Sequence, residues 1–310
     1  MELYRKYRPK RLKDVLGQDA TVRVLEDLLK RGEMAHALLL CGPSGVGKTT
    51  IARILKTKLN CADLDFFEIN CALVDGAIET IRSIADKLTL QSLNTGGSRI
   101  WLLDEVQSLS RASFAQQALL KMLEDVPNHV YFILCTTDPS KILTTIRTRC
   151  LQLKLAPLPE GMLATLLSDV VAKERASISE VVSDRIVQLA DGSARQALQS
   201  LHKVIGLENE EAQLNTLQSL DTEKKAIDLC RLLINPQTKW PQVAELIKSL
   251  EEEPETIRRS VLGYAGSVVL SGGKLVGRAY RILTVFEADW FASGKAGLIR
   301  SCYEVFTTPH

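Results

Sequence analysis

Residues 42–49 read Gly42-Pro43-Ser44-Gly45-Val46-Gly47-Lys48-Thr49 and match G-x-x-x-x-G-K-[ST] in full. This octapeptide constrains the fold more than any other stretch, because it works only between a buried strand and the first turn of a helix. Its glycines let successive backbone N–H groups turn inward and cradle phosphates. Lys48 reaches the β- and γ-phosphates, and the Thr49 hydroxyl ligates Mg²⁺. Thr50 opens a helix whose N-terminal dipole faces the same anion. The flanks supply the context: residues 37–41 form a continuous apolar run, and residues 50–59 have a helical pattern. A chance lysine beside a Gly-rich turn would carry neither flank, so the segment reads as an ATP-binding loop.

The same rhythm continues through the first half. Residues 66–69, 100–103 and 130–135 are short apolar runs, residues 151–155 alternate, and helical stretches separate them. That pattern predicts a parallel sheet covered by helices. The run Trp101-Leu102-Leu103 ends in Asp104-Glu105. Strand ends are often acidic, so the pair is informative mainly because a phosphate-binding loop lies upstream. With that loop, Asp104 would hold magnesium, usually through water. Glu105 would act as general base on the attacking water. After Pro157-Leu158-Pro159 only helical patterns follow, with breaks at Gly192-Ser193, residues 206–209, Asn235-Pro236, Glu253-Pro254 and residues 271–273. The expected division is an α/β domain over 1–156, an all-α domain over 157–209 and a second all-α domain over 210–310.

The chain has 310 residues, 45% of them hydrophobic, enough for two or three domains. A formal charge of +2 excludes a strong global field toward nucleic acid, so any DNA contact must be local or shared among copies. Seven cysteines at scattered spacings fit a reducing cytoplasm and not a disulfide framework. The first residues contain no apolar signal-peptide core, and no apolar run reaches membrane-spanning length.

Further motifs carry a family resemblance. Tyr7-Arg8-Pro9, residues 15–18, the phosphate-binding loop, Asp104-Glu105, residues 135–138, Thr148-Arg149-Cys150 and residues 192–195 occur in the order found in the AAA+ clamp-loader ATPases. The chain resembles the bacterial tau/gamma subunit and the small subunits of replication factor C over residues 4–200. The resemblance implies an α/β AAA+ module, an all-α lid over 157–209 and an all-α C-terminal collar over 210–310 that mediates oligomerisation. It implies that Tyr4, Arg5, Lys6, Tyr7 and Leu16 surround the adenine. Thr136 or Thr137 corresponds to sensor 1, which contacts the γ-phosphate or the attacking water, and Arg195 to sensor 2, which reads the γ-phosphate. Arg149 corresponds to an arginine finger acting on ATP of the neighbouring subunit. Asn70 is either the polar residue that restrains the catalytic glutamate or a turn residue.

The resemblance also implies a sliding clamp, primer–template DNA and companion subunits in a pentameric ring as partners, with no membrane. Arg82, Arg111 and Lys121 resemble contacts to the DNA backbone, although each is equally readable as a solvated charge on a helix face. Residues 110–121 are two residues longer than the family helix, which loosens the last two assignments. The bacterial family carries a four-cysteine zinc module after the phosphate-loop helix. Here only Cys61 and Cys71 lie nearby, so ATP and Mg²⁺ are expected and zinc is not. A version lacking both that module and the long tail of tau is expected to be viral, working in a host cytoplasm. Other DNA-handling AAA+ machines, a helicase loader or a branch-migration motor, share the loop and acids but generally lack the Tyr-Arg-Pro and Thr-Arg-Cys segments together. An ATPase-dead stator would have a degraded loop, and Lys48, Thr49, Asp104 and Glu105 are all intact.

Overall fold

The computed structural model of the chain describes residues 1–73, 77–94, 96–111, 113–250, 253–272 and 275–307, except the side chains of Ala77, Ser110, Arg111 and Ser113. The chain forms two compact units, Met1–Gly206 and Leu207–His310.

The first unit contains β1 (Ala37–Cys41), β2 (Phe66–Asn70), β3 (Arg99–Asp104), β4 (Val130–Thr136) and β5 (Leu151–Lys154). They form a five-stranded sheet in the order β2-β3-β4-β1-β5, with every pairing parallel. The sheet begins and ends each strand within one residue of the apolar runs in the sequence. The three inner strands are almost wholly buried, whereas the edge strands β2 and β5 are only partly so. Their sequences match this placement. β1 reads Ala-Leu-Leu-Leu-Cys, while the edge strands carry Glu68, Asn70, Gln152 and Lys154.

The helices of this unit are α1 (Leu3–Lys6), α2 (Asp19–Arg31), α3 (Lys48–Lys58), α4 (Ala77–Ala85), α5 (Ser113–Glu124), α6 (Thr144–Arg149), α7 (Glu160–Glu174), α8 (Glu180–Ala190) and α9 (Ala194–Val204). Side chains alternate across a strand, so the sheet buries two separate layers. Leu39, Leu103 and Phe132 pack with Ile81 and Ile84 of α4 and Leu119 of α5. Leu38, Leu40, Leu102 and Ile133 pack with Ile51 and Leu55 of α3 and Leu25 of α2. Each such fully buried side chain contributes on the order of 2 kcal/mol of hydrophobic stabilisation.

Strand order sets the site. β1 lies between β4 and β5, so the chain leaving β1 crosses to the far edge at β2, and the β4–β5 connection passes over β1. Ligands of open parallel sheets bind beyond the carboxyl ends of the strands at such a switch point. The register there pairs Cys41 with Thr136 and Asn70 with Asp104. The phosphate-binding loop, the acids and the β4 threonines therefore emerge side by side. Helices α8 and α9 are N-capped by Ser179 and Ser193, whose hydroxyls accept from the amides of Val182 and Gln196 at 3.3 Å.

The second unit is helical: α10 (Glu210–Ile234), α11 (Trp240–Lys248), α12 (Pro254–Ser271), α13 (Val276–Val285) and α14 (Gly294–Thr307). Asn209 caps α10 by accepting from Ala212 N at 2.7 Å. Its core joins Leu229 and Leu233 of α10 to Val243, Ile257, Ile282, Phe286 and Cys302. Among the described residues no helix is long and apolar enough to cross a membrane.

Candidate active site

A cavity of about 680 Å³ opens in the Met1–Gly206 unit. Its lining includes Ser44, Gly45, Val46, Gly47, Lys48, Thr49, Thr50, Asp104 and Glu105, together with Tyr4, Tyr7, Leu16 and Arg195. These are most of the residues assigned to the nucleotide from sequence. Arg5 and Lys6 flank the cavity without lining it. Gly42 is likewise outside the lining, and its carbonyl accepts from Lys48.

The loop folds as its composition dictates. Gly45 and Gly47 have φ of +79° and +112°, in the region that favours glycine. α3 then begins at Lys48, two residues before the helical pattern of the sequence is visible. Lys48 is buried, and its ammonium donates to the carbonyls of Gly42 and Pro43, each at 2.7 Å. Burial pushes this ammonium down from its ordinary range, against the pull of the nearby carboxylates.

Asp104 stands opposite. Its Oδ2 accepts from the Thr49 hydroxyl at 3.1 Å, and its Oδ1 accepts from the Glu105 amide at 3.0 Å. A hydroxyl and a carboxylate on one side of a polar cavity are hard oxygen donors of the kind a Mg²⁺ site uses, so the residues present fit that ion. Glu105 has φ of +53°, a left-handed conformation that glutamate adopts at a cost on the order of 1 kcal/mol. Its carboxylate is held by Gln107, which donates to Glu105 Oε2 and to Thr137 Oγ1 (2.8 Å). Thr136 donates to Gln107 Oε1 at 2.8 Å, and Thr137 lies 3.4 Å from Glu105 Oε2. Both sensor candidates thus meet Glu105 through one amide.

The far wall comes from the helices after β5. Arg195, on the first turn of α9, places its guanidinium 5.8 Å from the Tyr4 ring centroid. Asp169 and Lys173 of α7 also line the cavity. Glu174, at the end of α7, accepts from Lys6 Nζ at 2.6 Å and Tyr7 Oη at 2.5 Å. This contact holds the N-terminal segment against α7. The hydrogen bonds from Lys6 and Tyr7 keep the Glu174 carboxyl below its usual range.

Other assignments fall outside the cavity. Arg149 sits at the end of α6, exposed, with Nη2 2.7 Å from Glu124. Asn70 is adjacent to Asp104 in the sheet, but its Oδ1 accepts from Ala72 N at 3.0 Å, closing an Asx turn. Among the described residues no hydrogen bond joins it to Glu105, so of its two readings the turn is the one present here. Arg82 and Lys121 are exposed on α4 and α5. The side chain of Arg111 lies outside the described residues. Cys61 and Cys71 are buried, and among the described residues no cluster of three or more His, Cys, Asp or Glu side chains forms.

Sequence reasoning missed Gln107 as well as Arg8, Asp169 and Lys173 in the lining. Arg8 belongs to the Tyr7-Arg8-Pro9 motif, and that placement is the available signal. Nothing in the sequence links Gln107 to threonines about thirty residues later.

Comparison with known proteins fixes the family. The chain is 36% identical over 261 residues to the DNA polymerase III subunit gamma of Buchnera aphidicola from Schizaphis graminum, covering 76% of this chain and 71% of that protein. The chain belongs to the DNA polymerase III gamma/tau family. It is therefore an AAA+ ATPase subunit of the clamp-loader class. Identity is 33% over 239 residues to the tau/gamma subunit of Haemophilus influenzae, covering 70% of this chain and 34% of that one. It is 36% over 217 residues to the tau subunit of Escherichia coli, covering 63% of this chain and 33% of that one. The chain thus spans a minor part of the longer tau proteins. The family described as DNA polymerase III, delta subunit matches residues 75–159, and the Sigma-54 interaction domain matches residues 15–81. Among solved structures, the Thermotoga maritima RuvB Holliday junction branch migration motor has a TM-score of 0.57 at 20% identity, covering 82% of this chain and 85% of that one. This likeness shows a shared fold.

Proposed function

We propose that the chain binds ATP with Mg²⁺ in the cavity of the Met1–Gly206 unit and hydrolyses it in concert with neighbouring subunits. The resulting cycle opens a sliding clamp and places it on primer–template DNA in the cytoplasm. The observation that carries this reading is that Lys48, Thr49, Asp104, Glu105 and Arg195 line one cavity, with the Thr49 hydroxyl donating to Asp104.

In this reading the loop amides and Lys48 cradle the phosphates. To do so the Lys48 ammonium exchanges its carbonyl partners for phosphate oxygens. Thr49 and Asp104 would hold the magnesium ion, which neutralises charge developing on the phosphates. Glu105 accepts a proton from the attacking water. Thr136 or Thr137 orients that water or a γ-phosphate oxygen, and Arg195 senses the γ-phosphate from α9. Tyr4, Tyr7 and Leu16 pack around the adenine. Arg149 exchanges Glu124 for the γ-phosphate of ATP in the adjacent subunit. Arginines of this kind accelerate other nucleotide hydrolases roughly 10³–10⁵-fold.

Residues 157–209 act as the lid and residues 210–310 as the collar of a pentameric ring. Arg82 and Lys121, with Arg111, track the DNA backbone, which gives salt-dependent binding without sequence readout. The test is Glu105→Gln, with ATP binding and turnover measured separately. The expected result is retained binding with a loss of at least about a hundredfold in turnover. Wild-type turnover in this variant would remove Glu105 from the mechanism.

A further inference from the structure

We infer that Gln107 is the positioning residue that orients the Glu105 carboxylate and links it to the two threonines at the end of β4. The inference rests on the assignment of Glu105 as the base, and it names a residue that assignment leaves out.

The hydrogen-bond inventory fixes how the amide is turned. The Thr136 hydroxyl accepts from Asp138 N at 3.0 Å, so its single proton goes to Gln107 Oε1 at 2.8 Å. That contact turns Nε2 toward Glu105 and Thr137, and its two protons meet Glu105 Oε2 and Thr137 Oγ1. The Thr137 proton is then left for the same carboxylate oxygen, 3.4 Å away. Every polar group of the amide is used, and Thr136 is fully buried, so the frame on which Gln107 hangs is rigid.

Glu105 needs such a holder. Its backbone is left-handed, and Asn70 is occupied by its own turn. Gln107 lies two residues on, in the 3₁₀ turn Val106–Arg111. The geometry also carries information. A γ-phosphate oxygen that takes the proton of either threonine must alter a partner of Gln107, and through it the aim of Glu105. A glutamine that merely tied this turn to β4 would leave the chemical step untouched when replaced by a residue of the same shape.

The experiment uses the whole chain assembled with the subunits and clamp that support its turnover. Gln107→Met keeps the length and volume of the side chain and removes its hydrogen bonds. The expected result is a fall in kcat of about tenfold or more, with KM and Kd for ATP within about threefold of wild type. Gln107→Glu, also isosteric, replaces the donor with a second carboxylate and should lower kcat further. Thr136→Val is then combined with Gln107→Met. If the amide links the threonine to the base, the Thr136→Val effect on kcat is much smaller in the Gln107→Met background than alone. Unchanged kcat in both Gln107 variants, or fully additive effects in the cycle, would overturn the inference. Glu105→Gln run in parallel keeps the two claims apart. A dead Glu105 variant beside a normal Gln107→Met removes only Gln107, whereas a live Glu105 variant removes the base assignment itself.

Discussion

Replacing Gly45 with alanine tests whether the phosphate-binding loop and the first turn of α9 are packed as one surface. Two costs can be separated. Gly45 has φ of +79°, and an L-residue forced there loses about 1–2 kcal/mol. That strain is present with or without nucleotide, so it falls on stability. The second cost is steric. A Cβ at position 45 would overlap the Ser193 hydroxyl and come within 3.2 Å of Arg195 Cβ. Ser193 must rotate, losing its cap on Gln196 N, which is worth about 1 kcal/mol, or α9 must retreat and carry Arg195 with it. Loss of the cap falls on stability, whereas retreat of α9 falls on ATP binding, because the proposed bound state has Arg195 reading the γ-phosphate. At about 1.4 kcal/mol per factor of ten, a retreat that costs about as much as the cap lowers ATP affinity about fivefold. Calorimetric titration with a non-hydrolysed ATP analogue, beside a thermal melt, reads the two parts separately. Ser193→Ala in the Gly45→Ala background removes the overlapping atom and should restore part of the affinity. Wild-type affinity in Gly45→Ala, or strictly additive effects of the two substitutions, would refute the packing argument.

Two further outcomes concern the frame of each unit. Asp65 is fully buried and accepts from Arg99 Nη2 at 2.9 Å, Arg99 Nε at 3.1 Å, Ser92 Oγ at 3.0 Å and Leu93 N at 2.6 Å. Burial works against its charge, yet these donors prevail and hold the carboxyl below its usual range. Asp65→Asn leaves Arg99 buried without its counter-charge and should cost the first unit about 3 kcal/mol in urea unfolding; a loss under about 1 kcal/mol would show the pair to be dispensable. In the second unit, hydrogen bonds from Arg258, opposed by burial, bring the Glu255 carboxyl to about 2 from the ordinary 4.5. Its folded value is depressed, so its stabilising contribution is complete above about pH 4.5 and disappears as pH falls toward 2. At about 1.4 kcal/mol per pKa unit this contribution is about 3 kcal/mol, and the stability gap to Glu255→Gln should close over that window. A gap independent of pH would contradict it.

The sheet was legible because buried parallel strands need continuous apolar runs, and β1, β3 and β4 are such runs. The breaks of the C-terminal helices were legible for a similar reason. Pro254 opens α12 because proline lacks only a donor that the first turn leaves unpaired, and α12 ends at Ser271 before Gly272. The cavity residues of the loop, with Asp104 and Glu105, followed from spacing alone, since each sits at the end of a strand. Short elements were not legible. α1 and α6, of four and six residues, are too short to show a period. Lys87, Gln91, Ser92 and Leu93 are tied to the Asp65–Arg99 pair, whose members are 34 positions apart. Gln107 escaped for the same reason, because its role exists only where β3 and β4 end side by side. Asn70 shows the converse: a motif position whose side chain takes a local backbone partner.

The central claim is tested most directly by ATP turnover of the chain with its companion subunits, measured with and without the sliding clamp and primer–template DNA. The account predicts that clamp and DNA together raise turnover well above the basal rate, and that Arg149→Ala abolishes this rise while ATP binding persists. Turnover indifferent to clamp and DNA, or stimulation that survives Arg149→Ala, would contradict it.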